Sequence, residues 1–269
     1  MSGDPERRAP FYIGYLPMPP ALRAFALWIA AGAMLLGGVV AFLFAVAQRD
    51  PGTGVWEAGV PTELIGWFVL APYPAIEVVE GPEALVGRTV VIVSQGKMGA
   101  QDRIAPLAGQ LGRARGALIA RGGIALLELE GGLGAAEEVA WTAVPMYAVR
   151  GTAAPPNPPD AFAEELGPRT LQGEIIDSKC ALGVMKPGTG KAHKDCAALC
   201  LFGGVPPMFL VRDGKGHFDA YVIAGADGGP VDRAAILPYA ADPVEVAGTL
   251  ARAHGLVVFR IDPAAIRRL

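Results

Sequence analysis

The stretch AFALWIAAGAMLLGGVVAFLFAVA, residues 24–47, contains no charged residue. A helix rises about 1.5 Å per residue, so this stretch would be about 36 Å long, whereas the hydrocarbon core of a bilayer is about 30 Å thick. The chain of 269 residues is 52% hydrophobic and only 18% charged, and a membrane-embedded segment accounts for part of this excess. We therefore predict a single transmembrane helix at 24–47.

The residues on either side of this stretch differ in charge. Three arginines lie within residues 1–23, whereas Arg49 is the only basic residue in 48–87. Because basic residues are enriched on the cytoplasmic side of membrane proteins, we predict a cytoplasmic leader at 1–23, an anchor in a bacterial inner membrane and a periplasmic bulk of the chain. A cleaved signal peptide is the alternative, since an Ala-x-Ala pattern stands at 45–47, but the apolar stretch is longer than the usual signal core.

Small residues recur at every fourth position inside the apolar stretch. They are Ala33, Gly37, Ala41 and Ala45, which would form one stripe along a helix. Such a stripe lets a second transmembrane helix approach closely. We therefore predict a helix-packing face and an integral-membrane or periplasmic protein partner. The alternative is that the stripe only reflects the abundance of Ala and Gly in the whole chain.

The rest of the chain consists of two similar parts rich in short apolar runs. A Gly- and Pro-containing linker at 48–62 precedes a first β domain at 63–152, and a Pro-rich linker at 153–169 precedes a second β domain at 170–269. Turn residues separate the runs, which is typical of small barrels or sandwiches, and each domain also has one short helical segment. The predicted strands are Trp67–Leu70, Ala75–Val79, Thr89–Val93, Ala117–Ala120, Ile124–Leu129, Val144–Val149, Glu174–Ile176, Met208–Val211, Ala220–Ile223, Val244–Ala247 and Leu256–Ile261.

Similar segments in the two β domains indicate a duplication. The aligned segments are Gly116–Gly123 with Pro207–Gly214, and Val144–Thr152 with Asp242–Thr249. In this alignment Ala105 and Gly109 take the places of Cys196 and Cys200. We therefore expect any chemistry to belong to the second copy.

All three cysteines of the chain lie in the second β domain. Residues 192–202 favour a helix, on which His193, Cys196 and Cys200 at i, i+3 and i+7 would share one face. Cys180 ends the preceding strand and needs only a loop to reach them. The four side chains are therefore expected to converge.

This group of side chains has several chemical interpretations. Three thiolates and one imidazole suit tetrahedral zinc, and soft sulfur with Met185 or Met208 nearby would favour Cu(I). In an oxidising compartment, a disulfide from Cys180 to Cys196 or Cys200 is the structural alternative. Redox-active or inert thiols are a further possibility, although Cys196-x3-Cys200 is not the C-x-x-C of thioredoxins.

The second half also resembles a known group of domains. It has G-x-I-x-D-S-x-C at residues 173–180, C-x3-C at 196–200, then Gly203-Gly204 and a strand. This pattern resembles small exported bacterial β-barrel domains of OB-like type, over about residues 170–262. The resemblance implies OB-like barrels and an exported location, and it implies no activity because the group is largely uncharacterised. The Gly183–Lys191 segment is longer than in the shortest versions of the pattern.

Several classes of function are excluded by composition and motifs. A formal net charge of −3 provides no basic surface for nucleic acid. Residues 187–191, Pro-Gly-Thr-Gly-Lys, resemble the end of a nucleotide-binding P-loop, but Met185 replaces its first glycine and Ala192 its magnesium-binding hydroxyl. Ser178 lacks the G-x-S-x-G context of a hydrolase nucleophile.

These observations lead to one main prediction of function and one alternative. We predict a non-catalytic, membrane-anchored accessory or interaction subunit of a membrane complex, such as a respiratory or redox complex, without a cofactor. The alternative is a metal-binding or thiol-redox module that uses Cys180, His193, Cys196 and Cys200 and takes zinc or copper as its metal.

Overall fold

Helix α1 covers Pro20–Ala47 and corresponds to the apolar stretch. It begins before the predicted start at residue 24 because proline is tolerated in the first turn of a helix, so Pro20 does not delay it. Its Leu22–Val46 portion is long and apolar enough to cross a membrane. The residues of the small-residue stripe are all exposed on this helix.

The structure is a computed structural model that describes residues 18–47, 54–131, 164–211 and 219–269. The chain divides into two compact units, Met1–Asp50 and Pro51–Leu269. The first unit contains α1. The predicted strand at Val144–Val149 lies outside the described residues.

The first half of the second unit is a closed five-stranded barrel. The strands follow each other around the barrel in the order β1-β2-β3-β5-β4, with β3 and β5 parallel and the other described pairs antiparallel. A short helix and one 3-10 turn connect the third and fourth strands. The elements are β1 (Val55–Val69), β2 (Ala75–Glu80), β3 (Thr89–Val93), α2 (Gln101–Ile104), β4 (Leu111–Arg121) and β5 (Ile124–Leu129).

The second half is another closed five-stranded barrel with the same strand order, β6-β7-β8-β10-β9. Here too a short helix with a 3-10 turn connects the third and fourth strands, and β8 and β10 are parallel. Two additional helices lie between the first and second strands. The elements are β6 (Glu164–Asp177), α3 (Ser178–Leu182), α4 (Lys194–Phe202), β7 (Pro207–Val211), β8 (Ala220–Gly225), α5 (Arg233–Ile236), β9 (Pro243–Ala253) and β10 (Leu256–Arg268).

The two barrels also share strand register and close contacts. Val69 of β1 pairs with Ala75 of β2, and Ile176 of β6 pairs with Met208 of β7. The two pairs occupy equivalent positions in their barrels. In each first strand a glycine permits close approach: a Cβ on Gly66 or on Gly173 would lie 2.1 Å from a carbonyl oxygen of the adjacent strand. The mainly β class with two barrels is therefore confirmed, and its duplicated architecture is evident.

The alignment of Gly116–Gly123 with Pro207–Gly214 is wrong, however, whereas Val144–Thr152 of the second alignment lies outside the described residues. Gly116–Arg121 lies in β4, the fourth strand of its barrel, whereas Pro207–Val211 is β7, the second strand of the other. Both segments are short apolar runs before turn residues, a pattern that does not identify a strand's place in a barrel. Cys196 and Cys200 lie in the connection between β6 and β7, so Ala105 and Gly109 do not correspond to them.

The barrels begin earlier than the predicted domain boundaries. Strand β1 starts at Val55, inside the predicted linker 48–62, and β6 starts at Glu164, inside the Pro-rich linker 153–169. Both strands contain an irregularity near a glycine and a proline, in β1 between Trp56 and Pro61 and in β6 around Gly167. Proline and glycine are tolerated at such bulges, so these residues do not end the strands.

Strand β3 contributes to two hydrophobic cores because its side chains alternate between its faces. Val90 and Ile92 belong to the core of the first barrel. Val91 and Val93 belong to a larger cluster that contains buried residues of the second barrel, among them Phe209. This explains why all five residues of β3 are buried. The two barrels thus pack together within one compact unit.

Candidate thiol and metal site

The first cysteine lies on a short buried helix that follows β6. The side chain of Asp177 caps α3 by accepting a hydrogen bond from the backbone N–H of Cys180, at 3.0 Å. The sequence placed Cys180 at the end of the strand, but β6 ends at Asp177 because this cap starts a helix. As a result, Cys180 is buried in the segment that begins the β6–β7 connection.

Helix α4 carries the other two cysteines. Cys196 and Cys200 are four residues apart and therefore lie on the same face. The helix ends at Gly203-Gly204, as the sequence indicates, but it begins only at Lys194, after a 3-10 turn at Lys191–His193. His193 is therefore not on the α-helical face that the i, i+3, i+7 spacing predicts.

The three thiols lie together. The Sγ atoms of Cys180, Cys196 and Cys200 are all within 4.8 Å of one another, and all three are free thiols. The thioether sulfur of Met185 lies 3.4 Å from the Sγ of Cys196. Cys180 and Cys200 are buried and Cys196 is half-buried. The site therefore consists of four sulfur atoms with one thiol nearer to solvent.

Lys97 of the first barrel contacts these thiols. Its Nζ lies 2.8 Å from the Sγ of Cys196 and 3.9 Å from the Sγ of Cys200. Lys97 is in the connection between β3 and α2, far from the cysteines in sequence, so no local spacing signals the contact. Its hydrogen bond with Cys196 raises the pKa of the ammonium.

The thiols also influence one another. The hydrogen bond from Cys180, together with the charge of Lys97, lowers the pKa of Cys200. The same bond and the burial of Cys180 raise the pKa of the Cys180 thiol, which is the proton donor of the pair. The pKa values of these two neighbouring thiols are therefore shifted in opposite directions.

Glycines allow the first barrel to approach this site closely. A Cβ on Gly203 would lie 1.8 Å from the carbonyl oxygen of Lys97, and one on Gly99 would lie 2.2 Å from the carbonyl oxygen of Gly204. The backbone N–H of Gly99 donates a hydrogen bond to the carbonyl of Gly203, at 2.9 Å. The Gly-Gly pair that ends α4 is thus also the contact with the Lys97 loop.

His193 is directed towards Asp177 and does not join the group of three thiols. Its Nε2 lies 3.2 Å from Oδ2 of Asp177, and both side chains are fully buried. Its Nδ1 has no hydrogen-bond partner among the described residues. Asp177, Cys180 and His193 form a second group with ligand atoms within 4.8 Å. The predicted four-residue cluster is therefore divided, with Cys180 common to both parts.

A buried lysine beside Cys180 links the site to the first barrel. Nζ of Lys179 forms an ion pair with Glu128 of β5 and donates to the carbonyl oxygens of Ser94, at 3.3 Å, and Gly96, at 2.7 Å. The sequence does not reveal this role, because the partners of Lys179 are distant along the chain. Lys97 and Lys179 thus connect the cysteine-bearing segment to the other barrel.

The loop that resembles a P-loop binds a carboxylate of the protein itself. The backbone N–H of Gly190 donates to Oε2 of Glu174, a buried residue of β6, at 2.6 Å. This contact positions the loop before α4. Met208, the other methionine considered as a soft ligand, is fully buried in β7.

Comparisons with protein-family models, curated protein sequences and solved structures gave no match to this chain. Three thiols within 4.8 Å of one another, with a thioether 3.4 Å from one of them, could hold a soft metal ion such as Cu(I), or Zn²⁺.

Proposed function

We propose that this chain is a membrane-anchored accessory protein whose second barrel binds a thiophilic metal ion at Cys180, Cys196 and Cys200. The observation that carries this proposal is the convergence of the three Sγ atoms within 4.8 Å. Cys180 lies on α3, whereas Cys196 and Cys200 lie on α4. Two separate helices therefore bring the three side chains together. Thiols in this arrangement bind a metal ion strongly once they are deprotonated to thiolates.

We propose Cu(I) as the preferred ion. Zn²⁺ in a structural site takes four ligands, and the imidazole expected as the fourth, His193, belongs to the group with Asp177 and Cys180 rather than to the group of three thiols. Soft thiolate and thioether ligands select Cu(I), and the available fourth group is the thioether of Met185 next to Cys196. The half-buried position of Cys196 gives an ion or its carrier a route to the site.

We further propose that both barrels are OB-like. The strand order 1-2-3-5-4, with a helix between the third and fourth strands, supports this assignment for each. The resemblance of about residues 170–262 to small exported domains supports it for the second barrel. The first barrel then acts as a scaffold, because it lacks the segment that carries the cysteines.

The location of the protein is part of the proposal. An apolar, exposed α1 and an arginine-rich flank support an inner-membrane anchor with a cytoplasmic N-terminus and periplasmic barrels. The stripe at Ala33, Gly37, Ala41 and Ala45 supports a helix of a membrane partner as its neighbour. In this arrangement the protein is a non-catalytic subunit that holds or passes on a metal ion beside a membrane complex.

The experiment is a metal titration of the full-length chain in detergent, reduced and kept anaerobic. Competition with the chelator bicinchoninate should show one Cu(I) per chain, and Cys196→Ser should weaken binding at least about 100-fold because a thiolate ligand is lost. Ser178→Ala is the matched control: Ser178 is also buried beside the site, and its hydroxyl lies outside the ligand set.

His193→Gln separates the two metals. If Cu(I) binds through sulfur alone, this variant keeps one Cu(I) per chain, whereas a zinc site with three cysteines and one histidine would lose its metal. Circular dichroism confirms that each variant is folded. A reduced wild-type chain that binds neither ion would contradict the proposal, and an obligatory disulfide would assign the cysteines to a structural or thiol-redox role instead.

A further inference from the structure

We infer that Lys97, supplied by the first barrel, is the charge-compensating residue of the thiolate site and a determinant of its metal affinity. The inference rests on the proposed metal site in the second barrel. It assigns a role in that site to the first barrel, which carries no cysteine.

The ammonium of Lys97 lies where it contacts two of the three sulfur atoms. It is 2.8 Å from the Sγ of Cys196 and 3.9 Å from that of Cys200. It also lies 3.5 Å from the backbone carbonyl oxygen of Cys196. The contact with Cys196 is within hydrogen-bond distance, so the ammonium remains able to donate to this sulfur when the sulfur also binds a metal.

The charge of the filled site requires such a residue. Three thiolates and one Cu(I) ion carry a net charge of about −2, and a half-buried site stabilises this charge poorly because solvent is partly excluded. One ammonium in contact with the sulfur atoms halves this net negative charge. Lys97 provides such an ammonium, in contact with two of the thiols.

Backbone hydrogen bonds fix the chain both before and after Lys97. Before it, the carbonyl of Gly96 accepts a hydrogen bond from the buried Lys179. After it, the N–H of Gly99 donates to the carbonyl of Gly203 at the end of α4. Its own loop is closed by a hydrogen bond from the N–H of Ser94 to the carbonyl of Met98. These hydrogen bonds fix the backbone on both sides of Lys97, so that the side chain of this exposed residue starts from a defined position beside the thiols.

The test compares three substitutions in the full-length chain, in detergent and under reducing conditions. Lys97→Gln removes the charge, Lys97→Arg keeps it, and Lys186→Gln removes the charge of an exposed lysine next to Met185. Competition with bicinchoninate measures the Cu(I) affinity. The luminescence of the Cu(I)–thiolate site shows whether the site still forms.

We expect Lys97→Gln to weaken Cu(I) binding about tenfold, the scale of one contact between charges near a protein surface. Lys97→Arg should stay within about threefold of the wild type and Lys186→Gln should leave the affinity unchanged, with luminescence retained in all three. Equal affinities of the wild type and Lys97→Gln would overturn the inference. Equal weakening by Gln and Arg would also overturn it, because the effect would then come from packing. A wild-type chain that binds no Cu(I) would instead refute the metal site itself.

Discussion

Lys179 and Glu128 form an ion pair between the two barrels. Their side chains are only 5% and 10% exposed, so neither charge is stabilised much by water. The pair lies beside Cys180, and Lys179 also donates to two carbonyl oxygens of the Lys97 loop. At the scale of single residues, this lysine has a large expected effect on folding, because its removal leaves a buried charge without its partner, which is costly.

We predict that Lys179→Met lowers the free energy of unfolding by about 3–5 kcal/mol, because Glu128 is left buried and uncompensated. Denaturant unfolding of the full-length chain in detergent measures the change. Arg113→Met is the control, since Arg113 and Glu63 form a pair that is 44% and 47% exposed and should cost less than about 1 kcal/mol.

The double variant Lys179→Met with Glu128→Leu checks the reason for this loss. If the loss comes from the unpaired carboxylate, removing Glu128 as well should recover much of the stability. A double variant as unstable as Lys179→Met would mean that the hydrogen bonds to Ser94 and Gly96 are more important than the ion pair.

At the scale of secondary-structure elements, Asp242 connects α4 to the last strand of the barrel. Its carboxylate lies 2.6 Å from Nζ of Lys194 at the start of α4 and 3.2 Å from Nε of Arg268 at the end of β10. The hydrogen bond from Lys194 and the charges of both partners lower the pKa of Asp242 below its ordinary value of 3.8. The start of the cysteine-bearing helix is therefore attached to the second barrel through Asp242.

The lowered pKa of Asp242 determines how its contribution to stability varies with pH. A carboxylate with a lowered folded-state pKa stabilises the fold above its ordinary pKa and loses this contribution as pH falls through the folded-state value. We predict that Asp242→Asn is less stable than the wild type by about 1 kcal/mol at pH 7. The difference should stay constant down to about pH 5 and close below 3.8. Thermal unfolding at several pH values measures it, and a difference that persists at pH 2 would contradict the assignment.

The elements of this fold were predictable to different degrees. The apolar stretch at 24–47 and the runs that became β3 and β5 were visible because continuous apolar or β-branched residues require burial or a membrane. The start of β1 was not, because Gly59 and Pro61 suggest a linker when the β-bulge that accommodates them is unknown.

The candidate site was predictable only where its residues are close in sequence. The convergence of Cys180, Cys196 and Cys200 was expected from their spacing, and the structure brings them together. Lys97 was not predictable, because its contact depends on how the barrels pack. His193 was expected beside the thiols, but the 3-10 turn before α4 directs it to Asp177.

At the scale of the whole molecule, the proposed orientation in the membrane can be tested with the cysteines themselves. We predict that a membrane-impermeant maleimide labels the half-buried Cys196 in intact spheroplasts, because the barrels are proposed to be periplasmic. The control is Ser2→Cys in a Cys196→Ser background, which should be labelled only after the membrane is permeabilised. Labelling of Ser2→Cys in intact spheroplasts would contradict the proposed topology and indicate the opposite orientation.

The connection between the first and second strands has a consequence for the history of this protein. In the first barrel it is the short segment 70–74, and in the second it is the segment 178–206, which contains all three cysteines. The short connection closes a barrel of the same topology, so the strand order alone does not require the long one, although buried residues of the long connection belong to the core of this protein. Relatives that keep both barrels but have the short connection twice would be natural deletion variants. Comparing where such relatives and the cysteine-bearing form occur would show which cellular need retains the thiols.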